Sequence, residues 1–179
     1  VQQPDPTERV LQLTFSHKQN GQVMLLVELI GRHANLLLLR PDGRILACLH
    51  PGTVGERALL PGRIYAPPPA QAKLPPIDDG SADYYARLDA LLQPEGALWK
   101  HLVAGVAGMS PTAARAVAWR AAGNAAARTP VAMLAVAQEL QELWLPVSSG
   151  AWQPGALMDA NGVATAYAPY VLHGADALR

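Results

Sequence analysis

"VELIGRHANLLLLRPDGRIL", residues 27–46, is the stretch on which the fold turns. Its two later apolar runs, Leu36 to Arg40 and Arg44 to Leu49, flank Pro41-Asp42-Gly43. Proline presets φ and glycine accepts positive φ there, so the spacing predicts two short strands joined by a tight turn. Working outward, "RVLQLTFS" at 9–16 alternates Val10, Leu11, Leu13 and Phe15 with polar residues, and "HKQNGQ" carries an Asn20-Gly21 pair suited to a hairpin. A second strand from Gln22 to Ile30 pairs back on the first. The result is a four-stranded antiparallel meander, the β part of the chain at 1–65. Between its second and third strands sits a knot of Gly31, Arg32, His33 and Asn35. A turn needs no guanidinium or imidazole, so the knot raises the question of whether it binds something.

Downstream the pattern changes twice. Residues 50–80 are proline-rich, with "APPP" at 66–69 and "LPPIDDG" at 74–80, which cannot continue a sheet, and 66–80 reads as a linker. From Ser81 the period becomes helical, giving a helical unit at 81–146. Ser81 caps a helix to about Gln93, and a second helix runs from Glu95 to Val106. Ser110-Pro111 starts a third, with serine as N-cap and proline first, ended by Gly123-Asn124. Thr129-Pro130 repeats the device for a fourth, to about Trp144. A loop at Ser148 to Gly150 and a hairpin around Asn161-Gly162 complete a C-terminal part at 147–179. The fold class is α+β, an antiparallel β layer followed by helices.

At 179 residues, half of them hydrophobic, the chain can bury a sizeable core. No apolar run approaches the roughly 18 to 20 residues of a membrane span. The chain opens on Val1 and reads as a piece of a longer protein. Cys48 is the only cysteine, which excludes an internal disulfide and multi-cysteine metal sites and points to the cytoplasm. The 14 basic and 14 acidic residues balance, which argues against a nonspecific polyanion binder. Their distribution is uneven. Arg32, Arg40, Arg44, Arg57 and Arg63 face only Asp42 and Glu56 in 31–63, and Lys100, Arg115, Arg120 and Arg128 face only Glu95 in 95–129. Two local basic surfaces follow, rich in arginine, whose planar fork suits phosphate.

Residues for enzyme chemistry are sparse. His17, His33, His50, His101 and His173 have no metal-ligand spacing, so no metal and no cofactor is expected. Asp78-Asp79 sits in the Pro/Gly linker as a solvated acidic turn. The helix junction "LVAGVAGMSPTAARAVAWRAAG" says more, since its second helix opens with free N–H groups that suit a phosphate. Its plain reading is an αα-hairpin of the core; its sharper one adds Arg115 and Arg120 as nucleic-acid contacts. The opening knot also has a plain reading, in which Gly31 supplies an unusual φ, Asn35 bonds its own turn and Arg32 pairs with Glu28.

Taken in order, the motifs resemble the N-terminal domain of the NFACT family, also called fibronectin-binding protein A-like. "VELIGRHANLLLL" is similar to the family's E-L-hydrophobic-G-R-[HY]-[SA]-N signature at Glu28, Leu29, Gly31, Arg32, His33 and Asn35. "RALLPGRIYAPPP" matches R-x-x-x-P-G-x-x-Y-x-x-P at Arg57, Pro61, Gly62, Tyr65 and Pro68, and "GMSPTAARAV" resembles its G-[LM]-S-P helix junction. Where family members carry an Asp-Arg pair opening a strand, this chain has Glu8-Arg9.

The resemblance implies a formamidopyrimidine-DNA glycosylase-like fold with a helix-two-turn-helix unit, lacking those enzymes' catalytic residues. It implies a non-catalytic RNA-binding module of ribosome-associated quality control, cytoplasmic and off the membrane. Its partners are then alanyl-tRNA and a large ribosomal subunit carrying peptidyl-tRNA, and its outcome untemplated alanine tails added by the ribosome. Glu8, Arg9, Arg32, His33 and Asn35 are the implied tRNA-binding residues, with Glu8 orienting Arg9 and Asn35 meeting a base edge or sugar hydroxyl. A glycosylase-like DNA-binding domain and a fibronectin-binding surface adhesin are the alternatives.

Overall fold

The computed structural model describes residues 1–19 and 21–172. It divides into two compact units, Val1–Gln71 and one beginning at Ala72. The chain is α+β, an antiparallel sheet followed by helices. In the first unit β1 (Val10–His17), β2 (Gly21–Glu28), β3 (Asn35–Leu39) and β4 (Ile45–Cys48) pair in sequence order, each antiparallel to the next. Asn20, half of the expected Asn-Gly turn, lies outside the described residues. At the β3–β4 turn the Asp42 carboxylate accepts the Arg44 N–H at 3.1 Å.

Side chains alternate across the sheet. Val10, Leu26, Leu37, Leu39 and Ile45 form a core on one face, while Leu11, Leu13, Leu25, Val27 and Leu38 lie half-buried on the other. That is why β2 reads as a nearly unbroken apolar run. The proline-rich region holds a hairpin that its composition argued against, β5 (Gly52–Val54) with β6 (Arg57–Leu59). Pro51 and Pro61 fall just outside its strands, so neither removes a ladder N–H. Leu59 and Val54 pack on the sheet's core. The chain then returns beside β4, with Ile45 N–H donating to the Arg63 carbonyl at 2.8 Å and Tyr65 N–H to Gly43 at 2.9 Å.

The second unit contains α1 (Ala82–Leu92), α2 (Leu98–Gly105), α3 (Pro111–Ala122), α4 (Met133–Ser149) and the hairpin β7 (Gly155–Met158) with β8 (Ala164–Ala168). The serine caps form as read: Ser81 Oγ accepts from Tyr84 N–H and Ser110 Oγ from Ala113 N–H, both at 3.1 Å. Tyr84, Leu88, Leu98, Leu102, Ala114, Val117, Val136 and Leu140 close the core. Gly105 lets α2 lie against α1, because a Cβ there would overlap Leu91.

Three boundaries differ from the sequence reading. Thr129 caps nothing, since its hydroxyl donates to the Pro94 carbonyl and its N–H to that of Gly96, and α4 begins only at Met133. At its other end α4 runs on through Pro146 to Ser149, because proline removes only its own N–H. The last turn is held by Gly150 N–H on the Pro146 carbonyl and by the Ser148 and Ser149 hydroxyls on that of Leu145. The third difference is in 66–80, where Leu74 is buried in the helical core and pairs with Val106, so the later prolines belong to the second unit. No helix among the described residues is long and apolar enough to cross a membrane.

One buried ion pair ties the first unit together. Glu28, the last residue of β2, is 1% exposed, and Arg57 of β6 grips both of its carboxylate oxygens. Arg57 Nε donates to the Ala66 carbonyl at 2.8 Å, and the Tyr65 hydroxyl donates to Glu28 Oε1 at 2.8 Å. Glu28 thus pairs with Arg57 and not with Arg32. Burial, then the bond to Glu28, holds the Tyr65 hydroxyl well above the usual tyrosine range, so it remains a donor. A buried charge stripped of its partner costs about 3–5 kcal/mol, whereas an apolar replacement of both is often close to neutral. Arg57→Met is therefore expected to lower the urea unfolding free energy by about 3–5 kcal/mol. Glu28→Leu combined with Arg57→Leu should recover most of it; a single-variant loss below about 1 kcal/mol would contradict this role.

Candidate nucleic-acid interface

The pairing register gathers residues far apart in sequence. Val10 stands opposite Glu28 and Glu28 opposite Asn35, so residues 8–9 and the 29–34 connection share one end of the sheet. Leu29 N–H donates to the Arg9 carbonyl at 2.8 Å, fixing the two segments side by side. The knot itself is a single 3-10 turn, Gly31–His33, with Gly31 at φ 51°, a left-handed value only glycine adopts cheaply. It closes through His33 N–H to Ile30 at 2.9 Å and Ala34 N–H to Gly31 at 3.1 Å.

The five residues read as a site divide into two roles. Arg9, Arg32 and His33 are exposed, and Arg32 Nε donates to His33 Nε2 at 3.2 Å. That bond requires an unprotonated Nε2 on His33. Neither Arg9 nor Arg32 has a carboxylate partner among the described residues. Glu8 is half-buried, and no ion pair joins it to Arg9, contrary to the expected orienting bond. Glu8 belongs to the bend before β1, its N–H on the Asp5 carbonyl at 3.1 Å.

Asn35 is the clearest correction. It is 5% exposed, its Nδ2 donates to the His50 carbonyl at 2.9 Å, and its Oδ1 accepts the N–H of Leu36 at 2.9 Å and of His50 at 3.0 Å. Burial and these three bonds, which use both oxygen lone pairs and one of its two N–H donors, turn the amide inward to the backbone. It staples the start of β3 to the chain leaving β4, and so holds the knot from beneath.

In the helical unit the two candidate arginines also separate. Arg120 lies against Glu139 at 3.9 Å and donates to the Val171 carbonyl at 3.2 Å, so it is spent on internal contacts. Arg115 instead stacks on Trp99, its Cζ 4.2 Å from the ring centre. Among the described residues no three His, Cys, Asp or Glu side chains lie close enough to hold a metal. Sequence reasoning missed the Glu28–Arg57–Tyr65 cluster, although a carboxylate inside an apolar run signals a buried partner.

An antiparallel sheet whose end displays exposed arginines, followed by a helical hairpin unit, is the class of domain these observations define. Residues 1–176 match the family model described as NFACT N-terminal and middle domains, and the chain belongs to that family. It is 34% identical over 122 residues to the Rqc2 homolog RqcH of Bacillus subtilis (strain 168), a match covering 66% of this chain and 21% of that protein. Two solved structures share the fold. The N-terminal part of the fibronectin/fibrinogen-binding protein from Streptococcus suis is 22% identical, with TM-score 0.58, over 94% of this chain and 56% of that one. The fibrinogen binding protein from Staphylococcus aureus is 19% identical, with TM-score 0.60, over 93% of this chain and 58% of that one. The chain thus spans a small part of the curated relative and somewhat more than half of the solved ones.

Because Asn35 is a staple and His33 an exposed side chain, their alanine variants should behave oppositely. Asn35→Ala leaves two N–H groups and a carbonyl unpaired and is expected to cost about 2–4 kcal/mol in chemical denaturation. His33→Ala should stay within about 0.5 kcal/mol of wild type. Equal stabilities for the two would refute the division of roles.

Proposed function

We propose that this chain is a tRNA-docking module of a ribosome-associated quality-control factor, with the Arg9, Arg32 and His33 end of the sheet as its docking surface. The observation that carries this reading is the register that sets Arg9 beside the Arg32-His33 turn. It joins Arg9 and Arg32, which come from separate motifs, in one exposed basic corner without a carboxylate partner among the described residues. Two planar guanidinium groups and an imidazole suit the phosphates and unstacked bases of a structured RNA. Glu8 belongs to this corner as the residue preceding Arg9, and Asn35 acts beneath it as support.

Membership of the NFACT family and the likeness to an Rqc2 homolog support placing the module on a large ribosomal subunit that carries peptidyl-tRNA. Its task there is to recruit alanyl-tRNA for untemplated C-terminal alanine tails, with peptide-bond formation left to the ribosome. The chain contributes binding and no bond-making group of its own. Binding through exposed arginines has a definite salt signature, because each neutralised phosphate releases a counterion. Arg9→Gln and Arg32→Gln are each expected to weaken tRNA binding about tenfold in filter assays at low salt, with an unchanged melting temperature. Wild-type affinity in both variants would overturn the assignment of this corner.

A further inference from the structure

The helical unit carries a cluster of cations without carboxylate partners among the described residues. Trp99, in the first turn of α2, is half-buried against the helical core, so its ring is a fixed support. Arg115 of α3 covers that ring with Cζ 4.2 Å from its centre, and Lys100 Nζ lies 5.7 Å from the same centre. Neither cation has a carboxylate or carbonyl partner among the described residues. A third, exposed Arg128, is held at the same end of α2 by the bridge between its backbone and Ala97. Glu95 is the one acidic residue in the 95–129 stretch.

Gathering like charges on one indole costs repulsion that the ring's negative face only partly offsets. The arrangement is balanced when an anion completes it. With one face on Trp99, Arg115 keeps its N–H edge free, and that edge is a two-pronged donor shaped for a phosphate. Lys100 beside it supplies a point charge for a neighbouring phosphate. Two cations lie over a ring that is itself packed against the helical core, so the cluster suits the backbone more than the bases. We infer that Trp99, Lys100 and Arg115 form a phosphate-backbone docking point for RNA on the α2–α3 hairpin, sequence-independent and separate from the sheet-end corner. This inference rests on the RNA-binding reading of the first unit.

The test is a salt series of binding to a folded tRNA transcript, using the full chain as wild type, Lys100→Gln, Arg115→Gln, Trp99→Leu and Trp99→Phe, with circular-dichroism melts. Each charge removal is expected to weaken binding about three- to tenfold at low salt and to make the plot of log affinity against log salt shallower by about 0.7–0.9. Trp99→Leu should weaken binding without removing a charge, and Trp99→Phe should restore most of it. Lys100 is exposed, so its variant keeps the test valid if the tryptophan variant folds poorly. Wild-type affinity and slope in Lys100→Gln and Arg115→Gln would overturn this docking point alone. Failure of the wild type to bind tRNA at any salt would overturn the reading of both units. Unchanged tRNA binding with lost binding to polyglutamate would assign the cluster to an acidic protein partner and reject RNA.

Discussion

The buried pairing of Glu28 with Arg57 is the constraint on which the first unit depends. A carboxylate taken out of water at the end of β2 is tolerable only if donors replace its hydration, and three do: two from Arg57 and one from Tyr65. Each partner comes from a different piece of chain. Arg57 brings the β5–β6 hairpin onto the sheet, and Tyr65 brings the segment that returns beside β4. An apolar cluster of similar volume would hold these pieces as firmly. It would not demand one register, which a charged pair with directional bonds does.

That register has a functional consequence. Glu28 stands opposite both Val10 and Asn35, so fixing it fixes where β1 begins and where β3 starts. The exposed side chains of Arg9, Arg32 and His33 project from those points, on a frame whose supporting bonds are buried. Sites set on rigid elements hold their geometry better than sites on free loops. Residues adjacent in sequence thus divide the work: Gly31 and Asn35 shape the turn, while Arg32 and His33 are left to the solvent.

Much of this was readable from local chemistry. Strand alternation, the Pro41-Asp42-Gly43 turn and the serine caps of α1 and α3 are local rules, and each formed where its residues stood. The losses came where a distant partner changed the meaning of a residue. Asn35 looked like a ligand group until His50 supplied both a donor and an acceptor for its amide. Thr129 looked like a cap, but the carbonyls of Pro94 and Gly96 claimed its hydroxyl and N–H. Glu28 and Arg57 are 29 residues apart, so a carboxylate inside an apolar run announces a buried partner without saying which residue it is. The β5–β6 hairpin was hidden by prolines that prove to lie just outside its strands. Only the packing could sort the exposed side chains of this candidate region from the structural ones.

The central claim is that the sheet end carrying Arg9, Arg32 and His33 faces bound tRNA. Photo-crosslinking of the intact protein to tRNA, followed by mass spectrometry of the nucleotide-bearing peptides, addresses it without altering any residue. The expected result is crosslinks within residues 7–10 and 29–34, competed away by unlabelled tRNA. Crosslinks that spare both segments would contradict the account.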